Sequence, residues 1–396
     1  MTPPARVQAA IEIVDGIIAA ARENGAPADR IIVEWFRTRR FAGSSDRRAV
    51  RELVFAAIRA CGEIPPSGRA AMLLLARGDP ALGALFDGSR HAPFAIVADE
   101  PIAAPGLAPA WLEGALAQSG VAGPDAQALL ARAPLDVRVN TLKADRASLT
   151  MTGALPLPGA PTAAPQGLRF PPGTAVEQWD AWRDGLMEVQ DTGSQLACLA
   201  LSAQPGETIV DLCAGGGGKT LALAAGLANR GALIACDTDR RRLSRLAPRA
   251  ARAGAHVSET ILLDPGREIA ALTGWAERTD AVLVDAPCSG TGTWRRNPEA
   301  RWRLTAALLA RHVAAQRRLL DIAASCVAPG GRLIYAVCSL LDAEGPHQIA
   351  EFLARHVGWG AEVPTLPAGT ARGPGVRLSP WQDGTDGFFI ARLRRL

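Results

Sequence analysis

The sequence predicts an α/β protein built on a mostly parallel, doubly wound sheet, preceded by an all-α N-terminal region and a small α/β linker domain. Three observations carry this expectation. Apolar runs of strand length, rich in branched residues, recur at 208–213, 232–236, 281–284 and 332–337. Helical patterns lie between them at 220–229, 240–253 and 304–327. A glycine-rich turn joins the first run to the first helix. Strands alternating with helices signal βαβ units, whose sheet is covered on both faces and so reads as continuous apolar runs.

The 396 residues suffice for two or three domains, and 48% apolar with 21% charged residues is an ordinary globular balance. Disordered, collagen-like and small disulfide-stapled classes are excluded. The seven cysteines (Cys61, Cys198, Cys213, Cys236, Cys288, Cys326, Cys338) are scattered and odd in number. No C-x-x-C pair or Cys/His cluster suggests a metal, so reduced thiols and a cytoplasmic protein are expected. Glu12 and Asp15 break the only apolar stretch near the N-terminus, and no later run reaches the roughly 18 apolar residues of a membrane span. Of 43 basic residues only Lys143 and Lys219 are lysines. Arginine suits phosphate through its planar fork, although a genome's base composition explains such a bias equally well.

In chain order, Ile11, Val14, Ile17 and Ile18, then Val50, Leu53, Val54, Ala57 and Ile58, recur at helical spacing. They predict amphipathic helices in a helical region over 1–133. Arg37, Arg39, Arg40, Arg47, Arg48 and Arg51 crowd the junction between them. Singly each reads as part of a solvated face; together they could face nucleic acid. D-V-R-V-N-T-L (136–142) alternates like a strand and opens a Pro- and Gly-rich linker domain over 134–185. The alternating region follows over 186–396.

Open α/β sheets bind ligands beyond the carboxyl ends of their strands, so the strand ends are where chemistry is expected. The first ends in D-L-C-A-G-G-G-G-K-T, whose Cys213, Ala214, Gly215, Gly216, Gly217, Gly218 and Lys219 bring backbone amides to the start of a helix. A P-loop would need Gly at the place of Cys213, and a dinucleotide fingerprint would need Gly at the place of Thr220. Asp237 follows the second strand, about 20 positions past the loop, where a carboxylate can meet ribose hydroxyls or merely cap the next helix. Asp264 follows the third strand-like run, 259–263, where it could meet a base edge. The fourth ends in D-A-P-C-S-G-T-G, with Asp285 and Cys288, and the fifth in Cys338-Ser339. Two thiols at the ends of neighbouring strands fit thiolate chemistry on an electrophilic carbon better than packing.

At these residues the chain resembles the RNA cytosine-carbon-5 methyltransferases of the Sun/Fmu type, and among them the RsmB-like ribosomal RNA enzymes. The resemblance rests on V-Q-D-T-G-S-Q (189–195), the glycine loop, L-V-D-A-P-C-S-G-T-G (283–292) with R-R-N-P (295–298), Y-A-V-C-S (335–339) and D-G-T-D-G-F-F (383–389). Gly216, Val337 and Gly345 depart from the residues common there, Pro, Thr and Asn. The resemblance implies a Rossmann-like class I methyltransferase domain over 186–396, an RNA-binding linker and a divergent, NusB-like helical region. It implies S-adenosyl-L-methionine held by Cys213 to Lys219, with Asp237 on the ribose, Asp264 near the adenine and Asp285 towards the substrate. It implies that Cys338 adds to carbon 6 of a cytosine, that Asp285 assists at the ring nitrogen, and that Cys288 removes the carbon-5 proton. RNA, chiefly ribosomal RNA of the small subunit, is the expected partner, with no membrane, no metal and no obligate protein partner. Arg240 to Arg252, with Arg295 and Arg296, are expected at phosphates. The rival readings are an inactive RNA-binding relative and a P-loop-like nucleotide hydrolase.

Overall fold

The structure, a computed structural model, describes all 396 residues except Asn24, Thr152 and Ala154. The chain divides into two compact units, one of residues 1–131 with 293–305, the other of 132–292 with 306–396.

The first unit is helical. Its main helices are Pro3–Arg22, Ala28–Arg37, Ser44–Ala60 and Gly68–Gly78. Thr2 and Ser67 cap two of them by accepting from Ala5 N and Ala70 N, satisfying amides that a helix start leaves bare. Val14, Ile17, Val50, Val54 and Ile58 are fully buried, so the apolar stripe read from the sequence faces the core. The stretch 293–305, expected with the α/β region, lies in this unit. Trp302 packs in the helical core, and Arg301 is fully buried. The guanidinium of Arg301 donates to the carbonyls of Ile58 at 2.6 Å and Cys61 at 2.8 Å, and to Pro298 O. It thereby satisfies the last carbonyls of helix Ser44–Ala60.

The second unit holds two sheets. The smaller is antiparallel in the order β2-β3-β1-β4, from β1 (Leu135–Val139), β2 (Ala160–Pro161), β3 (Gly167–Phe170) and β4 (Met187–Val189). Its fourth strand thus comes from beyond Gly185. The larger is centred on β5 (Thr208–Asp211), β6 (Ala232–Asp237), β7 (Glu259–Leu262), β8 (Thr279–Asp285) and β9 (Val327–Val337), parallel in the order β9-β8-β5-β6-β7. The chain runs outward from β5 through β6 to β7 and then crosses to β8, so the topology reverses between β5 and β8. That is where open sheets of this kind form a ligand crevice.

Successive residues point to opposite faces, and both faces are covered. Val210, Ile234, Val282 and Leu333 bury towards helix Ala306–Cys326, while Ile209, Leu233, Leu283 and Ile334 share a core with helices Thr192–Leu201 and Gly218–Gly226. The expected helix over 240–253 is broken into Arg240–Leu243 and Leu246–Ala253. Pro248 has no N–H to give the carbonyl of Ser244, which explains the break.

Beyond β9 the sheet continues with strands the sequence reading did not pick out: β10 (Trp359–Glu362), β11 (Thr370–Arg372), β12 (Gly375–Leu378) and β13 (Phe388–Arg395), all antiparallel. Strand β13 lies against β9 along Phe389–Arg394. Just before it, Gly387 N donates to Gly292 O at 2.8 Å, and a Cβ on Gly292 would stand 2.0 Å from Gly387 O. The two glycines therefore let the β13 entry cross the loop that carries Cys288. No helix of the described residues is long and apolar enough to cross a membrane.

Candidate active site

Strand β5 ends at Asp211, which is fully buried and accepts from Thr220 Oγ1 at 2.6 Å. Its second oxygen has no hydrogen-bond partner among the described residues. Burial, aided by the charges of Asp285 and Asp237, pushes its pKa up to about 7 against the Thr220 bond and Lys219. The native state therefore holds a proton that the unfolded chain has lost between about pH 4 and 7, so this group's contribution to stability declines as pH rises through that window. Replacing Asp211 with Asn removes the decline. Unfolding free energies of the two proteins from urea titrations should diverge in favour of the variant by an amount on the order of a few kcal/mol between pH 4 and 8. A difference that stays flat with pH would refute the shift.

After Asp211 the loop turns on two left-handed glycines, Gly215 (φ +56°) and Gly217 (φ +86°). A Cβ on Gly217 would also strike Leu246 at 2.3 Å. Ala214 N donates to Cys236 O at 2.8 Å, and Gly216 O accepts from Arg249 at 2.6 Å. Gly218 opens helix Gly218–Gly226, and nothing lies within 4 Å of a Cβ built on it. Cys213 is half-buried, with its thiol pushed well above its ordinary range by burial and the neighbouring carboxylates.

The carboxylate of Asp237, at the end of β6, braces this loop, accepting from Gly215 N and Asp239 N, each at 2.7 Å. Helix capping falls to Asp239, which accepts from Arg241 N and Arg242 N. Asp264 is exposed just past β7, two positions beyond Leu262, which pairs with Asp237. An open glycine cradle with two carboxylates along neighbouring strand ends suits a ligand carrying amide acceptors and ribose hydroxyls.

On the other side of the loop Lys219 Nζ lies 2.7 Å from Asp285 Oδ2. Burial works against the ammonium, but the charge and hydrogen bond of Asp285 together with the neighbouring Cys198 and Cys338 outweigh it and raise the lysine pKa. A P-loop hydrolase would need this ammonium on a phosphate; here a carboxylate occupies it.

Asp285 ends β8 opposite Ala336 of β9, so both strands stop at one level. Ala286 N donates to Ala336 O and Gly292 N to Cys338 O, each at 3.0 Å, which wraps 286–292 around the end of β9. Cys288 and Cys338 consequently meet, with their sulfurs 3.5 Å apart and both half-buried. The hydrogen bond to Cys338, together with burial, pushes the Cys288 thiol well above its ordinary range. Cys288 keeps its proton and can donate it to Cys338. By contrast, Cys198, Cys236 and Cys326 are buried thiols with raised pKa values.

The sequence reading missed Glu344, fully buried, which accepts from Ser289 N and Ser339 Oγ. The repeated Cys-Ser pair was the signal available. The expected phosphate contacts divide. Arg240, Arg241, Arg242 and Arg245 are exposed along the helices whose Arg249 touches the glycine loop. In the helical unit Arg37, Arg39 and Arg51 are ion-paired with Glu34, Glu12 and Asp29, while Arg40 and Arg48 are exposed. Arg295 is buried at 5% exposure, so a phosphate cannot reach it without rearrangement.

The sequence profile of a family described as 16S rRNA methyltransferase RsmB/F matches residues 198–394. A Synechocystis relative named "Probable ribosomal RNA small subunit methyltransferase B" is 36% identical over 272 residues, 66% of this chain and 60% of its own. A Thermus thermophilus relative named "Ribosomal RNA small subunit methyltransferase B" is 41% identical over 212 residues, 53% of this chain and 50% of its own. The chain thus spans 60% or less of the length of these two curated relatives. Among solved structures, that of PH0851 superposes with a TM-score of 0.77 at 25% identity and covers 99% of both chains. A methyltransferase homolog from Pyrococcus horikoshii superposes at 0.60, with 25% identity, over 72% of this chain and 99% of its own.

Proposed function

Because the chain belongs to the RsmB/F methyltransferase family through residues 198–394, we propose that it methylates carbon 5 of a cytosine in RNA, with S-adenosyl-L-methionine as donor and 16S ribosomal RNA as substrate. The observation that carries this reading is the pair of thiols, 3.5 Å apart, at the crevice ends of β8 and β9 beside the Lys219–Asp285 ion pair.

S-adenosyl-L-methionine supplies, when bound, a methyl group activated by a sulfonium. The residues to hold it are the loop from Cys213 to Lys219, with Asp237 behind the loop and Asp264 at its open end. The protein's own task is to make an unactivated ring carbon nucleophilic. The sulfur of Cys338 adds to carbon 6 of the cytosine, which places electron density on carbon 5 and splits one difficult step into two easier ones. Asp285, held by Lys219, assists at the ring nitrogen that takes up charge. The base must leave its stack to reach the thiols.

Release then requires a base at carbon 5. The hydrogen bond that Cys288 donates to Cys338 is the largest cause raising the Cys288 thiol. It vanishes when Cys338 becomes a thioether. Cys288 is then freer to give its proton to solvent, and as a thiolate it takes the carbon-5 proton, after which the carbon–sulfur bond breaks and Cys338 leaves as a thiolate. The exposed arginines on 240–245 supply phosphate contacts whose strength should fall steeply with salt.

The test is methyl transfer from labelled S-adenosyl-L-methionine to 16S RNA, with the modified base read by bisulfite sequencing, run beside Cys288→Ala. The wild type should label a cytosine. The variant should accumulate a protein–RNA adduct that survives a denaturing gel. A wild type that binds RNA and donor yet transfers nothing is an inactive relative, and a variant that turns over normally with a clean gel removes the release role from Cys288.

A further inference from the structure

Each of the two thiols is followed by a serine, and the hydroxyls of Ser289 and Ser339 lie 3.1 Å apart. Both donate to one carboxylate oxygen of Glu344, Ser339 at 2.5 Å. The other oxygen accepts from Ser289 N at 2.8 Å and Gln316 Nε2 at 3.0 Å. The Glu344 backbone is tied as well, its carbonyl accepting the Tyr335 hydroxyl of β9 at 2.6 Å. Thr291, in the Cys288 loop, adds a further link through its hydroxyl, 3.2 Å from Ser339 Oγ and 2.9 Å from Leu340 N.

Glu344 is fully buried, and four donors satisfy it with no Lys or Arg paired to it among the described residues. Such a charge is costly to bury, and removing its partners costs more than it would at the surface. What this arrangement secures is geometry. The carboxylate touches the residue after each cysteine, and beyond the strand pairing at Asp285 and Ala336 it adds a side-chain link to the backbone bonds from Ala286 N to Ala336 O and from Gly292 N to Cys338 O.

We infer that Glu344 is the positioning residue of the thiol pair: by binding both serines it sets the separation of Cys288 and Cys338. This rests on the function proposed above for its bearing on catalysis, though not for its geometry. It touches neither sulfur and takes no part in proton transfer to substrate. Gln316 supports it from helix Ala306–Cys326, donating to both Glu344 and Pro287 O at 2.9 Å.

The test uses the full chain with Glu344→Ala and Glu344→Gln, and two readouts. In steady-state methyl transfer, Glu344→Ala should lose about 100-fold in kcat, the scale of a 1 Å misplacement, while KM for RNA stays within about twofold. In RNA-free protein, diamide accepts the two thiol hydrogens as the Cys288–Cys338 disulfide forms, so its rate reports how well the sulfurs are held together. That rate should fall by about tenfold or more in Glu344→Ala. Glu344→Gln should restore most of both, because its amide oxygen still accepts from Ser289 N and Gln316 while its NH2 group donates to the serine oxygens. Should Glu344→Ala fail to fold, Ser339→Ala, which leaves three donors on the carboxylate, should show the same two losses at several-fold. A wild-type disulfide rate or a wild-type kcat in Glu344→Ala, or in both Glu344→Gln and Ser339→Ala where the alanine variant does not fold, overturns the inference. Disulfide formation needs neither RNA nor donor. A wild type that crosslinks in a Glu344-dependent way but transfers no methyl group therefore overturns the function and leaves the positioning intact.

Discussion

Replacing Cys338 with Ala should reduce methyl transfer by roughly ten-thousand-fold or more, because no other group in the site can add to carbon 6. Cys288 is nearest, but it sits on the 286–292 loop after β8 rather than at the end of β9, and burial still raises its thiol when Cys338 is gone. The variant should bind S-adenosyl-L-methionine with nearly unchanged affinity, since Cys338 ends β9 whereas the glycine loop and its brace, Asp237, follow β5 and β6. It should also leave no covalent product with RNA, even when combined with Cys288→Ala. Calorimetry with the donor and a denaturing gel measure these two effects separately. Activity within tenfold of wild type would remove Cys338 from the mechanism.

Replacing Arg301 with Ala should destabilise the helical unit by about 3 to 5 kcal/mol. The carbonyls of Ile58, Cys61 and Pro298 each lose a charged donor, at about 1 to 3 kcal/mol apiece, although Cys61 N still reaches Ile58 O and Trp302 Nε1 still reaches Cys61 O, and a large side chain leaves a cavity. Some of that cost is returned, because burial already disfavours the guanidinium's charge and lowers its pKa to about 10. Arg301→Lys should recover only part of the loss, since one ammonium cannot reproduce the fork. Thermal melting followed through tryptophan fluorescence measures it, as Trp294 and Trp302 sit buried in the same stretch. An unchanged melting profile would show that the contacts to 293–305 contribute little.

Much of the candidate site was legible because the local chemistry of each strand end is written in adjacent residues. Four glycines announce a close-approach loop, and Asp285 with Cys288 follows an uninterrupted apolar run. Such runs form buried parallel strands because both faces must be covered. The antiparallel strands β10 to β13 were less visible: three of them have only 3 or 4 residues, and turn-forming Gly and Pro surround them. Arg295 and Arg296 read as phosphate contacts because a charge pattern does not show what will cover it. The fold buries Arg295. Likewise Asp237 has the spacing of a ribose acceptor, and the structure engages both its oxygens in holding Gly215 and Asp239.

The sequence by itself determined the alternation of strand and helix, the glycine turn and which residue types stand at the strand ends, since these follow from periodicity and residue chemistry over a few adjacent positions. Only the tertiary structure decided that two sulfurs 50 positions apart would lie 3.5 Å from each other, that one buried glutamate would gather the serines beside them, and that 293–305 would fold with the helices. The physical reason is that hydrogen bonds and packing act through space between segments distant in the chain, and each segment, read alone, is compatible with many partners.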